Sequence, residues 1–283
     1  MRLISIKKLR LFWANPRNPD SESSLRAWYQ VVKAADWTCF ADVRNTYNTA
    51  DLVGNKVVFN IGGNKYRLVA VIDYEGHKVF VRYILNHEDY DQGHWKNDTF
   101  GQDWKARSGN PSRILYLEKQ NAGPLAKRNR ADEKAVLRSE IITMKTTRKV
   151  SVRRDAYLEL IHRFPLRPIR SEEELDRAME VVDELIDRDK LEPSERDYLD
   201  VLSDLTERYE SETHPIEPVS DAAMLAHLIE AKNVTQADVA REARIAESTI
   251  SEVLAGKRML NRFHISKLSR YFNVSPTVFS FKD

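Results

Sequence analysis

The sequence predicts two folds in series: an α+β domain in residues 1–97 and an all-α region in residues 148–283, joined by a linker in residues 98–147. Three observations carry that reading. Residues 56–61, 65–73 and 78–84 are apolar runs separated by Gly62-Gly63-Asn64 and Tyr74-Glu75-Gly76-His77, the spacing of an antiparallel meander with tight turns. From residue 98 the pattern fails, because Gly101, Gly109, Pro111, Gly123 and Pro124 interrupt every short apolar stretch. Beyond the break, apolar residues recur at helical spacing, each run opened by a capping residue or a proline.

In chain order, residues 2–4 read as a short strand, and Ser5 stands where it would cap a helix through Trp13. Asn15-Pro16-Arg17-Asn18-Pro19 breaks that helix, and a second spans residues 22–35. An irregular stretch follows, then the meander. A strand, two helices and three strands in that order should place the helices on one sheet face and leave the other open.

The linker contains one helical stretch at residues 131–140. At about 50 residues it is long for a loop inside a compact domain and reads as a tether. Residues 157–163 then form a short amphipathic segment that Pro165 and Pro168 stop. Ser171 and Glu174 form a capping box that opens a helix through about Asp189, with Leu175, Met179, Val182 and Ile186 as its buried stripe. Pro193 starts another helix to about Glu210, with Tyr198, Val201, Leu202 and Leu205 facing inward. A boundary at 219/220 separates this helical region, 148–219, from a terminal bundle, 220–283.

Composition sets the bounds. With 42% apolar residues in 283, the chain has material for conventional cores in more than one domain. Cys39 is the single cysteine, so no internal disulfide framework exists, which suits a reducing compartment. No run of about 18 apolar residues and no signal-peptide core occurs, so the expectation is a soluble, cytoplasmic protein without a membrane partner. The histidines lack the spacing of a metal site, and Gly62-Gly63 lies in a hairpin rather than before a helix, so neither metal nor phosphate-cradling cofactor is expected. A net charge of +2 conceals a strong segregation of charge. Residues 170–217 hold eighteen Asp or Glu against six Lys or Arg, whereas residues 96–154 hold fifteen Lys or Arg against six acids. The acidic block is a candidate mask for a basic surface.

The terminal bundle carries the sharpest motif. Thr235 caps a short helix with Asp238 three residues on; Val239, Ala240 and Ala243 line its inner face, and Ile245 plugs the turn. A second short helix over 247–255 buries Ile250, Val253 and Leu254, which turns Glu247, Ser248, Thr249, Ser251 and Glu252 outward toward base edges. Gly256 ends it, and Lys257 and Arg258 follow where backbone phosphates would lie. Flanking helices over 221–232, capped by Ser220, and 262–272, capped by Asn261, complete the bundle. It resembles the Cro/cI-type (XRE) helix-turn-helix over residues 224–279. That resemblance implies operator DNA as partner, read by Gln236, Glu247, Ser248, Thr249, Ser251, Lys257 and Arg258, and a homodimer with recognition helices about 34 Å apart. Ala246 stands where the family often has Ser or Thr, which removes the recognition helix's N-cap at a cost of about 1 kcal/mol.

The α+β domain carries a second resemblance. The runs Lys56-Val57-Val58-Phe59-Asn60-Ile61 and Lys65-Tyr66-Arg67-Leu68-Val69-Ala70, then Val79-Phe80-Val81-Arg82-Tyr83 and Asn86-His87-Glu88-Asp89-Tyr90-Asp91, are similar to HigB toxins of the RelE-like superfamily. Asn86 and Asp89 replace the Thr and Glu of the family's Thr-His-x-Glu-Tyr-Asp. The resemblance implies an mRNA interferase acting during translation on the ribosome, and its usual antitoxin, HigA, carries a Cro/cI-type domain. Both halves of a toxin–antitoxin pair would then occupy one chain. RNA cleavage without a metal needs a base for the 2′-OH, a cation for the crowded phosphate and an acid for the leaving oxygen. Arg67 and Arg82 are the candidates for phosphate and transition-state charge, His87 and Tyr90 for proton transfer. Lys56 and Lys65 would hold the RNA backbone, with Lys65 sharing the face of Arg67 by strand alternation.

The reading is a fused type II toxin–antitoxin protein: a metal-independent endoribonuclease masked by a tethered antitoxin that binds its operator and represses transcription. Helices over 171–212 would cover the basic face, in cis or in trans. A tether of about 50 residues spans roughly 40 Å and gives an effective concentration approaching the mM range. The alternative is a catalytically inactive toxin fold serving as the scaffold of a helix-turn-helix regulator.

Overall fold

The computed structural model of the protein describes residues 1–97, 156–188 and 190–279. The predicted tether and its helix at 131–140 lie outside those residues.

The first domain is a five-stranded sheet in the order β1-β5-β4-β3-β2, formed by β1 (Arg2–Ile4), β2 (Asp51–Val53), β3 (Lys56–Ile61), β4 (Tyr66–Asp73) and β5 (Lys78–Asn86). β3, β4 and β5 make the expected antiparallel meander, and β1 adds in parallel to β5. Between β1 and β2 run α1 (Ile6–Trp13), α2 (Ser21–Ala34) and α3 (Phe40–Thr46). The meander's alternation sends Val57, Phe59, Ile61, Leu68 and Ala70 toward the helices, where Leu9, Leu25, Trp28 and Val32 meet them. The Trp28 and Phe59 rings touch edge to face at 5.5 Å. Each large side chain buried there contributes about 1.5–3 kcal/mol.

Two elements were not legible in the irregular stretch: α3 and β2. α3 is tied at its start by Asp42, whose carboxylate accepts the Thr38 N–H and hydroxyl at 2.8 Å each. β2 is a three-residue edge strand. β4 begins at Tyr66, so Lys65 belongs to the preceding turn rather than to the strand.

The open sheet face is covered in two parts. Near β2 and the distal end of β5, α4 (His87–Asp91) and α5 (His94–Asn97) bring Tyr90 and Trp95 over Val58, Val69, Tyr83 and Leu85. Toward β1, the helices α6 (Ala156–Arg163), α7 (Glu172–Ile186) and α8 (Pro193–Thr213) pack on Ile4 and Phe80 through Leu175, Ala178, Val182, Leu185, Tyr198 and Leu202. The Ser171 hydroxyl accepts the Glu174 N–H at 3.3 Å and so caps α7. Val201 departs from expectation: it is 43% exposed, because the helix turns its 198/202 edge inward.

The terminal bundle comprises α9 (Asp221–Lys232), α10 (Gln236–Ala243), α11 (Glu247–Leu254), α12 (Arg262–Phe272) and a 3-10 turn at Pro276–Val278. Ser220, Thr235 and Asn261 cap α9, α10 and α12 as predicted, and α11 has no side-chain cap at Ala246. α9 and the 3-10 turn lie against α2, on the side of the domain opposite α7 and α8. The α+β domain is thus held between the two helical units.

Candidate functional site

β4 and the β5–α4 corner bring three of the predicted side chains together. Asn86 ends β5, and its side chain accepts the Asp89 N–H at 2.8 Å, which starts α4 at His87. Tyr90 lies three residues further, so the two share a helix face. Arg67 pairs in register with Leu85 on one side and Asn60 on the other, and its guanidinium carbon lies 5.4 Å from the Tyr90 ring centroid. Its Nη1 donates to the Asn64 carbonyl at 3.0 Å and to that of Tyr66 at 3.3 Å.

His87 Nε2 lies 2.6 Å from the same Asn64 carbonyl. A carbonyl only accepts, so Nε2 carries the hydrogen and, in the neutral ring, Nδ1 is the free base. Asn64 reaches this position at φ 74°, the left-handed region that Asn tolerates in a tight turn. Tyr90 stacks on Trp95 at 5.1 Å, and Trp95 Nε1 donates to the Tyr90 carbonyl at 3.1 Å, which fixes the phenol. Burial lowers the Arg67 pKa, with Tyr90 and Asp91 opposing; burial raises that of Tyr90, with Arg67 opposing. His87 is exposed and the other two are partly exposed, so an imidazole, a phenol and a guanidinium stand together at a surface open to solvent.

Arg82 does not join them. The β4–β5 register steps from Val69↔Tyr83 to Ala70↔Val81, leaving Arg82 as the extra residue of a β-bulge. The bulge aims its guanidinium at α7, where it forms ion pairs with Asp183 and Asp187 and is sealed at 2% side-chain exposure. Burial opposes its charge, but Asp183, Tyr83 and Asp187 more than offset this, and its pKa is raised. Lys56 belongs to the same cluster, 3.9 Å from Asp187. Lys65 corrects the alternation argument: lying in the turn, its ammonium pairs with Asp20, the residue that also accepts the Tyr66 hydroxyl, so it leaves the face of Arg67.

The acidic block engages the basic side of the domain residue by residue. Lys7 pairs with Glu172 at 2.6 Å and Asp176 at 2.8 Å, Lys8 with Asp183 at 3.2 Å, and Lys78 with Asp200 at 2.5 Å. Arg2 pairs with Asp204 at 2.7 Å and Glu207 at 2.5 Å. The buried carboxylate of Glu210 takes backbone hydrogens from Ser5 and Lys7. The acidic helices therefore lie over Arg82, Lys56 and the β1 edge rather than over Arg67, His87 and Tyr90. Lys7, Lys8, Lys78 and Glu210 were missed in the sequence; the only signal was the charge segregation, which names no partner.

On the other side, the Tyr47 hydroxyl lies 3.1 Å from His227 Nε2, both buried, and Gly63 N–H donates to Glu230 at 2.9 Å. Burial takes His227 down to about 4 and raises Tyr47. α9 thereby holds the hairpin next to Asn64.

α11 packs on α9 and keeps one face exposed. Glu247, Ser248, Ser251 and Glu252 are exposed along it, as are Gln236 at the start of α10 and Lys257 and Arg258 beyond Gly256. Thr249 corrects the expectation of an outward side chain: it is 6% exposed and its hydroxyl accepts Arg258 Nη1 at 3.2 Å. Thr249 therefore supports Arg258 instead of facing a base. Among the described residues no helix is long and apolar enough to cross a membrane.

Comparison with known proteins divides the chain the same way. A family model described as HigB_toxin, RelE-like toxic component of a toxin-antitoxin system, matches residues 21–93. The model of the HigA antitoxin N-terminal domain matches residues 153–218, and a helix-turn-helix model matches residues 225–279. The mRNA interferase HigB of Escherichia coli O6:H1 is 31% identical over 77 residues, 26% of this chain and 75% of that protein. The mRNA interferase toxin HigB of Escherichia coli K12 is 44% identical over 34 residues, 12% of this chain and 33% of that protein; the HigB of Shigella flexneri matches to the same extent.

Proposed function

Because the chain belongs to the HigB family of RelE-like toxins, and carries HigA-type antitoxin and helix-turn-helix units in the same polypeptide, we propose that it is an endoribonuclease held silent by its own C-terminal half. The observation that carries the catalytic part is the convergence of Arg67 and His87 on one carbonyl, with Tyr90 over the guanidinium. His87 Nδ1 takes the 2′-OH proton, Arg67 stabilises the charge on the phosphate, and Tyr90 supplies the proton to the leaving 5′ oxygen. Each oxygen of the phosphodiester is then served without a metal.

The substrate in this reading is mRNA, met in the cytoplasm on the ribosome. A homodimer reads a palindromic operator and represses the chain's own transcription. The segment 98–147 is the tether, and its cleavage is the efficient route to release, since a covalent antitoxin cannot be degraded separately. Its domains are 1–97 for the toxin, 148–219 for the masking helices and 220–283 for DNA.

Induction of residues 1–97 alone, beside the full chain and an Arg67→Ala fragment, tests the proposal by growth and mRNA integrity. Arrest by the fragment, relieved by Arg67→Ala, is the expected result. A soluble, folded fragment that leaves mRNA intact overturns it and leaves a DNA-binding regulator built on an inactive toxin fold.

A further inference from the structure

A cluster of cations lies outside the Arg67 centre and is built from separate elements: Lys8 from α1, Lys56 from β3 and Arg82 from the bulge in β5. They converge on two carboxylates of one helix. Asp183 and Asp187 are four residues apart, hence on one face of α7, and between them they take Arg82 Nη1 and Nη2, Lys8 and Lys56. Lys8 Nζ also donates to the Val81 carbonyl at 3.0 Å, and Arg82 Nε is buried with no hydrogen-bond partner among the described residues. A guanidinium that presents its fork to two acidic oxygens is a phosphate-binding arrangement.

We propose that Lys8, Lys56 and Arg82 form a second anion subsite, one that takes an RNA backbone phosphate, and that Asp183 and Asp187 fill it in the intact chain as phosphate mimics. A guanidinium buried on a sheet strongly disfavours an empty site, so once α7 leaves, an anion or water must take its place. Arg82 stands three residues before Leu85, the register partner of Arg67. At about 3.3 Å per residue the subsite lies roughly 10 Å along the sheet from Arg67. It therefore holds a phosphate further along the strand than the one being cut. Masking follows as competition: RNA cannot lie across the sheet while α7 is docked, even though His87 remains exposed.

This inference rests on the ribonuclease reading, and the test separates the two. The full chain, with a protease site placed in residues 98–147, is cut after purification, and the affinity of the C-terminal half for the N-terminal half is measured. The cut protein is titrated with a 2′-O-methyl oligoribonucleotide, which cannot be cleaved for want of a 2′-OH, and with a methylphosphonate oligomer of the same sequence and neutral backbone. The charged oligomer is expected to raise the apparent dissociation constant of the C-terminal half by about tenfold or more, with strong salt dependence, and the neutral one to leave it unchanged. Lys56→Ala, at the rim of the cluster, weakens the competitor without emptying the buried Arg82 position. A ternary complex with the C-terminal half still docked, equal displacement by the neutral oligomer, or no oligomer binding overturns the subsite. Cleavage of ordinary RNA without displacement would sink this inference alone; displacement without cleavage would sink only the catalytic assignment.

Discussion

Glu210 of α8 accepts the backbone N–H of Ser5 at 2.9 Å, and its other oxygen takes that of Lys7 at 2.9 Å. The antitoxin half thereby caps the first helix of the toxin half. Ser5, the residue the sequence offered for that task, sits at φ 74° with its hydroxyl on Met179 Sδ at 3.7 Å, and makes no cap. A carboxylate at the positive end of α1 is the stronger partner for those amides. Glu210→Ala should destabilise the full chain by about 1–3 kcal/mol in urea unfolding, since it leaves the buried Ser5 N–H and the half-buried Lys7 N–H unsatisfied.

The same carboxylate makes docking depend on pH. Burial raises Glu210 to about 7 from 4.5, against the lowering effect of the Lys7, Ile6 and Ser5 amides. A carboxyl whose pKa is raised on folding binds a proton more readily in the folded state. Its contribution is fully present below about 4.5 and is lost as pH rises through about 7. The urea midpoint should fall between pH 5 and pH 8, and Glu210→Gln should flatten that slope. An unchanged slope in Glu210→Gln would assign the dependence to another group.

Tyr47 and His227 predict the opposite slope on the other side of the domain. Burial holds His227 down at about 4, so the ring is neutral when docked. A histidine depressed in this way contributes stability above its unfolded value of about 6.5, which is lost as pH falls through about 4. Acidification from 6.5 to 4 should loosen α9 from α3 before the sheet unfolds, read as loss of Trp37 fluorescence near Tyr47, 6.2 Å away. Tyr47→Phe leaves a buried ring nitrogen unpaired and should cost about 1–3 kcal/mol at neutral pH.

These interfaces mark where sequence reading stops. The meander, the capped helices and the terminal bundle were legible because alternation, caps and helical stripes are local patterns. α3 and β2 were not, since their short runs carry no periodicity and depend on neighbours for definition. Arg82 had the right chemistry in the wrong place: strand alternation assumes an unbroken ladder, and one bulged residue re-aims it. Lys65 failed for the related reason that a turn obeys no alternation. Glu210 and His227 are ordinary members of an acidic helix and an apolar one, and only tertiary contact reveals that they meet Ser5 and Tyr47.

A stabilising change is predicted at Ala246. α11 starts there with extended backbone and no side-chain acceptor for its first amides. Ala246→Ser supplies one and should raise stability of the terminal bundle by about 1 kcal/mol in thermal unfolding. Operator affinity should rise or hold, because the start of α11 faces outward; a loss of affinity would place Ala246 itself against the DNA.

The last prediction separates contacts that position the protein on DNA from those that read it. Lys257 is exposed beyond Gly256 and, among the described residues, makes only a backbone contact, its N–H donating to Glu252 O, which leaves its ammonium for a phosphate. Lys257→Ala should weaken binding alike on operator and unrelated DNA and reduce the slope of log K against log salt by about 1 per subunit. Ser248 and Ser251 stand exposed on α11, so Ser248→Ala should instead cost about 1–3 kcal/mol on the operator alone, leaving the salt slope intact. Thr249 gives the control. Its hydroxyl holds Arg258, itself also paired with Glu252 at 3.2 Å, so Thr249→Val should release Arg258 and alter the salt slope rather than base preference. A Thr249→Val protein with changed base preference would return that side chain to the DNA face.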